Sequence, residues 1–136
     1  MAMLHDACKA YASSRKREDY DEMMVAMMIA VTRGDQLLAP GQLGRDEKGE
    51  LSVQLGMVQA SDGQWYYVAC TEEAELKKIE GATSVQVPLA ELLRRAKTEE
   101  NVGGIVLDPM SSACFFSKED ASVLLDDLAN AHVTDA

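Results

Sequence analysis

Apolar residues recur at helical spacing from the start of the chain, where Leu4, Ala7, Cys8 and Tyr11 predict an amphipathic helix over residues 3 to 14. A second helix is predicted over Asp19 to Arg33, with acidic residues in its first turn, Arg33 in its last and Gly34 placed to cap it. Its pattern is unusual. Met23, Met24, Val25, Ala26, Met27, Met28, Ile29, Ala30 and Val31 leave no polar stripe. A helix apolar on every side must be covered on every side, by its own core or by a partner. Met side chains fill irregular core gaps and also line promiscuous grooves. Met24, Met28 and Val31 therefore stand as candidates for core, for a binding groove or for the seam of a homodimer.

The period then changes. Gln36 to Ala39 predicts a short strand stopped by Pro40-Gly41. Leu51, Val53, Leu55 and Met57 alternate with Ser52, Gln54 and Gly56, and Ser61-Asp62-Gly63 turns the chain back into Trp65, Tyr66, Tyr67, Val68 and Ala69. On this hairpin, Trp65 with Tyr66 or Tyr67 offers a candidate binding face, and equally an ordinary cross-strand cluster. Thr71 is placed to cap a helix that opens on Glu72 and Glu73, carries Lys77 and Lys78 late and ends at Gly81. Ser84 to Val87 reads as a strand, and Pro88 as the first residue of a helix with Leu89, Leu92, Leu93 and Ala96 on one side.

Ile105, Val106 and Leu107 form an apolar run between Gly103-Gly104 and Asp108-Pro109, the pattern of an internal strand covered on both faces. Cys114 to Phe116 gives a short strand. Ser117, three residues ahead of Asp120, starts a last helix with an apolar stripe at Ala121, Leu124, Leu125 and Leu128. The alternation of strands and helices from Trp65 to Leu107 predicts parallel pairing beside the antiparallel hairpin. The expected fold is α+β, a single mixed β-sheet of about five or six strands flanked by helices. One domain is expected over residues 1 to 136, with its core at 19 to 128, an N-terminal helix and a short C-terminal tail.

Length and composition fit that picture. A chain of 136 residues suits one domain, and such a domain buries roughly 68% of its unfolded surface without staples. With 5% aromatic residues and eight Met, its core must be aliphatic and Met-rich. A formal charge of -10, from 23 acidic and 13 basic residues, works against nucleic acid and anionic membrane as partners. It favours a protein partner with a basic face, and it serves solubility equally well. The basic run Arg15-Lys16-Arg17 is followed at once by Glu18, Asp19, Asp21 and Glu22, so it reads as one helix end beside the start of the next. The longest apolar run, Met23 to Val31, is far short of the roughly 20 residues of a membrane span. No secretory leader pattern opens the chain, and a cytoplasmic location is expected.

Chemistry-bearing residues are sparse. Cys8, Cys70 and Cys114 are odd in number and widely spaced, which speaks against a disulfide framework or zinc site. His5 and His132 lie at opposite ends, outside the predicted core and without a motif. His5 and Cys8 are three apart on one helix, but two ligands do not make a metal site. No nucleophile elbow, zinc-protease motif, phosphate-binding loop or dinucleotide fingerprint is present, and Gly103-Gly104 precedes a strand instead of following one. Cys70, at a strand end before a helix, has a route to a lowered thiol pKa, opposed by Glu72 and Glu73. Asp126-Asp127 and Glu99-Glu100 read as solvated surface. No catalytic residue, cofactor or metal is expected. The function read from these residues is a non-catalytic interaction or regulatory module; the alternative is a small-ligand protein or an enzyme using Cys70 or clustered carboxylates.

Five pieces occur in an order that is familiar: Leu37-Leu38-Ala39-Pro40, the Asp62-Gly63 hairpin, Thr71 with Glu72 and Glu73, Val87-Pro88 with Leu89, Leu92 and Leu93, and Gly104-Ile105-Val106-Leu107-Asp108-Pro109. Together they resemble the N-terminal domain of the SseB family, named for enhanced serine sensitivity, over Asp19 to Leu128. The resemblance implies a small bacterial α+β domain without an established enzyme activity, in a family that often carries a second, C-terminal domain. The chain departs from the family pattern in having Cys70-Thr71-Glu72 for Phe-Thr-Ser and Asp108 for Asn. Pro109 is expected to hold Asp108 extended and end the ladder, and Asp108 stands as a candidate recognition residue.

Overall fold

Both N-terminal helices form in the computed structural model, which describes residues 2–45, 47–79 and 83–135. Helix α1 covers Ala2–Ser14 and α2 covers Arg17–Arg33. Gly34 closes α2 in the left-handed conformation at φ 73, and the amides of Gly34 and Asp35 return to the carbonyls of Val31 and Ala30. That is the glycine C-cap its position predicted. The Met-rich face is mostly core: Met23, Ala26, Met27, Ala30 and Val31 are buried, and Met24 and Met28 are partly buried against them. Helices on several sides supply the cover, since α2 packs on α1, on α4 (Leu89–Thr98) and on α5 (Lys118–Asp135). Val25 alone among the large residues of that face is exposed.

The single sheet expected from the sequence is replaced by two. One has three strands in the order β2 (Leu51–Leu55), β1 (Gln36–Arg45), β5 (Ser84–Pro88); the other has four in the order β3 (Met57–Gln59), β4 (Trp65–Ala69), β6 (Val102–Leu107), β7 (Cys114–Ser117). The division arises at Gly56. Its amide donates to the Pro40 carbonyl (2.7 Å) and its own carbonyl accepts from Val68 (3.1 Å), so the alternating stretch bends there. Leu51–Leu55 then pairs with β1, and Met57–Gln59 with β4. A glycine inside a strand pattern marks such a bend, and a Cβ here would lie 2.9 Å from the Pro40 ring. Leu38 and Cys70 form an isolated bridge between the sheets, exchanging backbone bonds of 3.2 and 2.7 Å.

Other boundaries shift for local reasons. Pro40 does not stop β1, which changes partner there, from β5 over Gln36–Pro40 to β2 over Gly41–Arg45. Proline lacks an N–H but keeps its carbonyl, and that carbonyl is used by Gly56. The stretch after Thr71 is one helical turn, α3 (Glu73–Leu76); the expected stop at Gly81 lies outside the described residues. Pro88 stands just before α4, whose Leu89, Leu92, Leu93 and Ala96 are all fully buried. Each leucine contributes about 1.5–3 kcal/mol by leaving water.

Strand β6 is internal, as its apolar run predicts: parallel to β4 on one side and antiparallel to β7 on the other. Ile105 and Leu107 join the main core with Leu4, Cys8, Met27, Leu92, Phe116 and Leu124, while Val106, pointing to the opposite face by strand alternation, is also buried. The N-terminal helix is thus part of the core. Ser117 and Asp120 form the expected reciprocal cap at the start of α5, at 3.0 and 3.1 Å. Ala121 and Leu124 are buried and Leu125 is half-buried, while the Leu128 side chain lies outside the described ones.

Candidate functional site

Parallel pairing of β4 and β6 sets Ala69 opposite Leu107, so the residues that follow each strand emerge side by side. Asp108 is held there by its amide, which donates to the Ala69 carbonyl at 2.9 Å. Its backbone is left-handed at φ 50, not extended, which corrects the expectation drawn from Pro109. Asp and Asn tolerate this conformation because a short polar side chain bonds locally. The carboxylate is fully buried: Oδ1 accepts from the Thr71 amide (2.8 Å) and Oδ2 from the Thr71 hydroxyl (2.7 Å). Thr71 therefore does not cap α3; Glu72 occupies that position without a side-chain cap bond.

His5 completes the cluster, although sequence reasoning had left it outside the core. It is half-buried, with Nδ1 at 3.0 Å from Thr71 Oγ1 and 3.2 Å from Asp108 Oδ2. The Thr71 proton is spent on Asp108, so both contacts assign a proton to His5 Nδ1. Nε2 faces Glu72 Oε1 at 3.8 Å. Beside it, Glu75 is only 4% exposed; its Oε2 accepts from Lys78 (2.8 Å), which also donates to Ser111 Oγ (2.6 Å), while its Oε1 has no hydrogen-bond partner among the described residues. Burial pushes the Glu75 carboxyl up, but the Lys78 ammonium and Ser111 hydroxyl outweigh it, with a smaller contribution from His5, and hold it below the usual range. An open cavity of about 320 Å³ is lined by His5, Lys9, Glu75, Lys78, Ser111 and Ser112, among others.

The residues of this junction, Thr71-Glu72 and Gly104 to Pro109, are pieces of the pattern noted in the sequence. A model of the SseB protein N-terminal domain matches residues 4–121. The chain belongs to the SseB family. No curated protein and no solved structure matches it. The family match begins within α1, upstream of the Asp19 where the sequence resemblance starts, in keeping with the burial of Leu4 and Cys8. The Asp in this SseB domain and the Asn of the family pattern share the property the left-handed turn requires.

The residues singled out for interaction in this SseB domain are not brought together. Val31, Tyr67 and Asp108 are buried, and Met24 and Met28 are partly buried in the core. Trp65 is 44% exposed and lines an open cavity of about 530 Å³ with Tyr67 and Met57. Tyr66 instead meets Phe115 edge-on at 4.9 Å between ring centroids. Cys70 is buried, and burial first, then Asp108 and Glu75, pushes its thiol up to about 12. Cys8 and Cys114 are also free and buried. Glu99, Glu100 and Asp126 are exposed as expected; the side chains of Asp127 and His132 lie outside those described.

A groove does run between α1 and α2, but it is lined by other residues than the Met24, Met28 and Val31 that the sequence offered for one. It is an open cavity of about 630 Å³ lined by the apolar Met3, Ala7, Ala10, Val25 and Ala26 together with Asp6, Asp21 and Glu22. Met3 and Val25 are 56% and 58% exposed. The signal was present in the all-apolar α2 pattern, but which side stays open depends on how α1 crosses it. No helix among the described residues is long and apolar enough to cross a membrane.

Proposed function

We propose that this SseB domain is a non-catalytic protein-interaction module whose α1–α2 groove receives an amphipathic helix bearing cationic residues. The observation that carries this reading is the groove itself, whose lining combines five apolar residues with three carboxylates on a chain of net charge -10. Helix-in-groove recognition needs a hydrophobic trough for the apolar face of the incoming helix, and a charged rim for register and encounter rate. Two observations support the non-catalytic part. Cys70 stays a thiol at neutral pH. The His5 imidazole, though paired with Asp108 as a catalytic base would be, has its other nitrogen 3.8 Å from the Glu72 carboxylate, an acceptor with no proton for a base to take.

Titration of a Leu/Lys amphipathic helical peptide into isotope-labelled domain tests the reading. Resonances of Ala7, Ala10 and Val25 should shift together, and affinity should fall with added salt and in Glu22→Lys. Recovery of bound proteins from a lysate at low and high salt, with wild type and Glu22→Lys in parallel, should show a partner lost in both the high-salt and the variant arms. Shifts scattered over the whole acidic surface, or affinity unchanged in Glu22→Lys, would leave charge serving solubility alone.

A further inference from the structure

We propose that His5, Glu72 and Glu75 bind a divalent transition-metal ion of the zinc class. Each offers a ligand atom, His5 an imidazole nitrogen and the glutamates a carboxylate oxygen, and these atoms lie within 4.8 Å of one another. Proximity of acidic groups alone is common, and two further observations point to a ligand.

The first is the state of the imidazole. Asp108 and Thr71 occupy His5 Nδ1, so Nε2, 3.8 Å from Glu72 Oε1, is the nitrogen left for an ion. A buried carboxylate on the far nitrogen is also the arrangement that fixes the tautomer and raises the basicity of a metal-binding histidine. The second is Glu75, 4% exposed, with Oε1 lacking any hydrogen-bond partner among the described residues. Burying such an oxygen unsatisfied costs about 1–3 kcal/mol or more. Lys78 holds the other oxygen at 2.8 Å and so keeps the group ionised without occupying Oε1.

The donor set selects the ion. One imidazole nitrogen and two carboxylate oxygens suit zinc and its first-row neighbours better than magnesium or calcium, which take oxygen alone. Bonds of about 2.0–2.2 Å separate the ligands of a tetrahedron by about 3.4 Å, so the 3.8 Å between His5 and Glu72 must close by a few tenths of an ångström and the widest separation of the three, up to 4.8 Å, by as much as about 1.4 Å. Glu72, with its side chain half exposed, is free to make that movement. Three protein ligands leave one tetrahedral position for water.

The test uses the full chain, stripped with a chelator and titrated with Zn²⁺ alone. Uptake of one ion per chain with a rise in melting temperature is expected, and Co²⁺ in its place should give the visible absorption of a four-coordinate site. His5→Gln should abolish uptake. Glu72→Gln, at a surface position that leaves the fold intact, should weaken it about tenfold or more, and its unchanged melting temperature without metal separates lost ligation from lost structure. Absence of uptake by wild type overturns the proposal. So does affinity unchanged in Glu72→Gln, or uptake lost instead in Cys8→Ser or Cys114→Ser, which would place the ion on thiols.

Discussion

His5 Nδ1 lies 3.2 Å from Asp108 Oδ2, which ties the first helix to the turn after the central strand. Thr71 sits in the same cluster, so three segments far apart in sequence meet on one buried carboxylate. Apolar packing of Leu4 and Cys8 brings α1 to this end of the sheet, and the polar contact then decides its register.

Removing that carboxylate should therefore cost more than its size suggests. Asp108→Ala leaves the buried Thr71 amide and hydroxyl unpaired, and a loss of about 3 kcal/mol is expected. Asp108→Asn keeps one acceptor and tolerates the left-handed backbone, so about 1 kcal/mol is expected. Urea denaturation of the two variants measures both, and equal losses would refute the hub role.

Gly104 has φ 152, and a Cβ on it would lie 1.9 Å from the Phe116 carbonyl oxygen. Gly104→Ala should thus destabilise by about 3 kcal/mol or more, because the obstacle is backbone of β7 that cannot swing away. Gly63, at φ 83 with nothing within 4 Å, provides the contrast: Gly63→Ala should cost only about 1 kcal/mol of backbone strain. Melting curves of the pair distinguish close packing from conformation alone.

Val106 is fully buried on the internal strand β6 of the four-stranded sheet. An unpaired carboxylate there costs several kcal/mol, against a total stability of about 5–15 kcal/mol for a domain. Val106→Asp should not fold, and a cooperative melting transition in that variant would contradict the central placement of β6.

Cys70 titrates near 12 in the folded protein against 9.0 ordinarily, so the folded state holds its proton more tightly than the unfolded chain. The stability linked to it is complete below about pH 9 and lost as pH rises toward about 12. Iodoacetamide at pH 8 should label Cys70 slowly in native protein and rapidly in urea. Rapid, selective native labelling would instead revive a reactive-thiol function.

Local sequence patterns determined much of this molecule: the helices α1, α2 and α4, the Asp62-Gly63 turn, the cap between Ser117 and Asp120, and the internal strand at Ile105 to Leu107. Each depends on residues within a few positions of one another, where spacing and side-chain type decide the outcome. The tertiary structure decided the rest. Gly56 was visible as a break in the alternation, but whether it splits a sheet depends on where Pro40 and Val68 arrive to bond it. Thr71 reads as a helix cap until Asp108 supplies a stronger acceptor for its amide and hydroxyl, and Asp108 reads as extended until those bonds hold it left-handed. His5, Glu72 and Glu75 carry no shared spacing that marks them as a group. Their meeting follows from parallel register and helix docking, which are long-range pairings that local patterns do not encode.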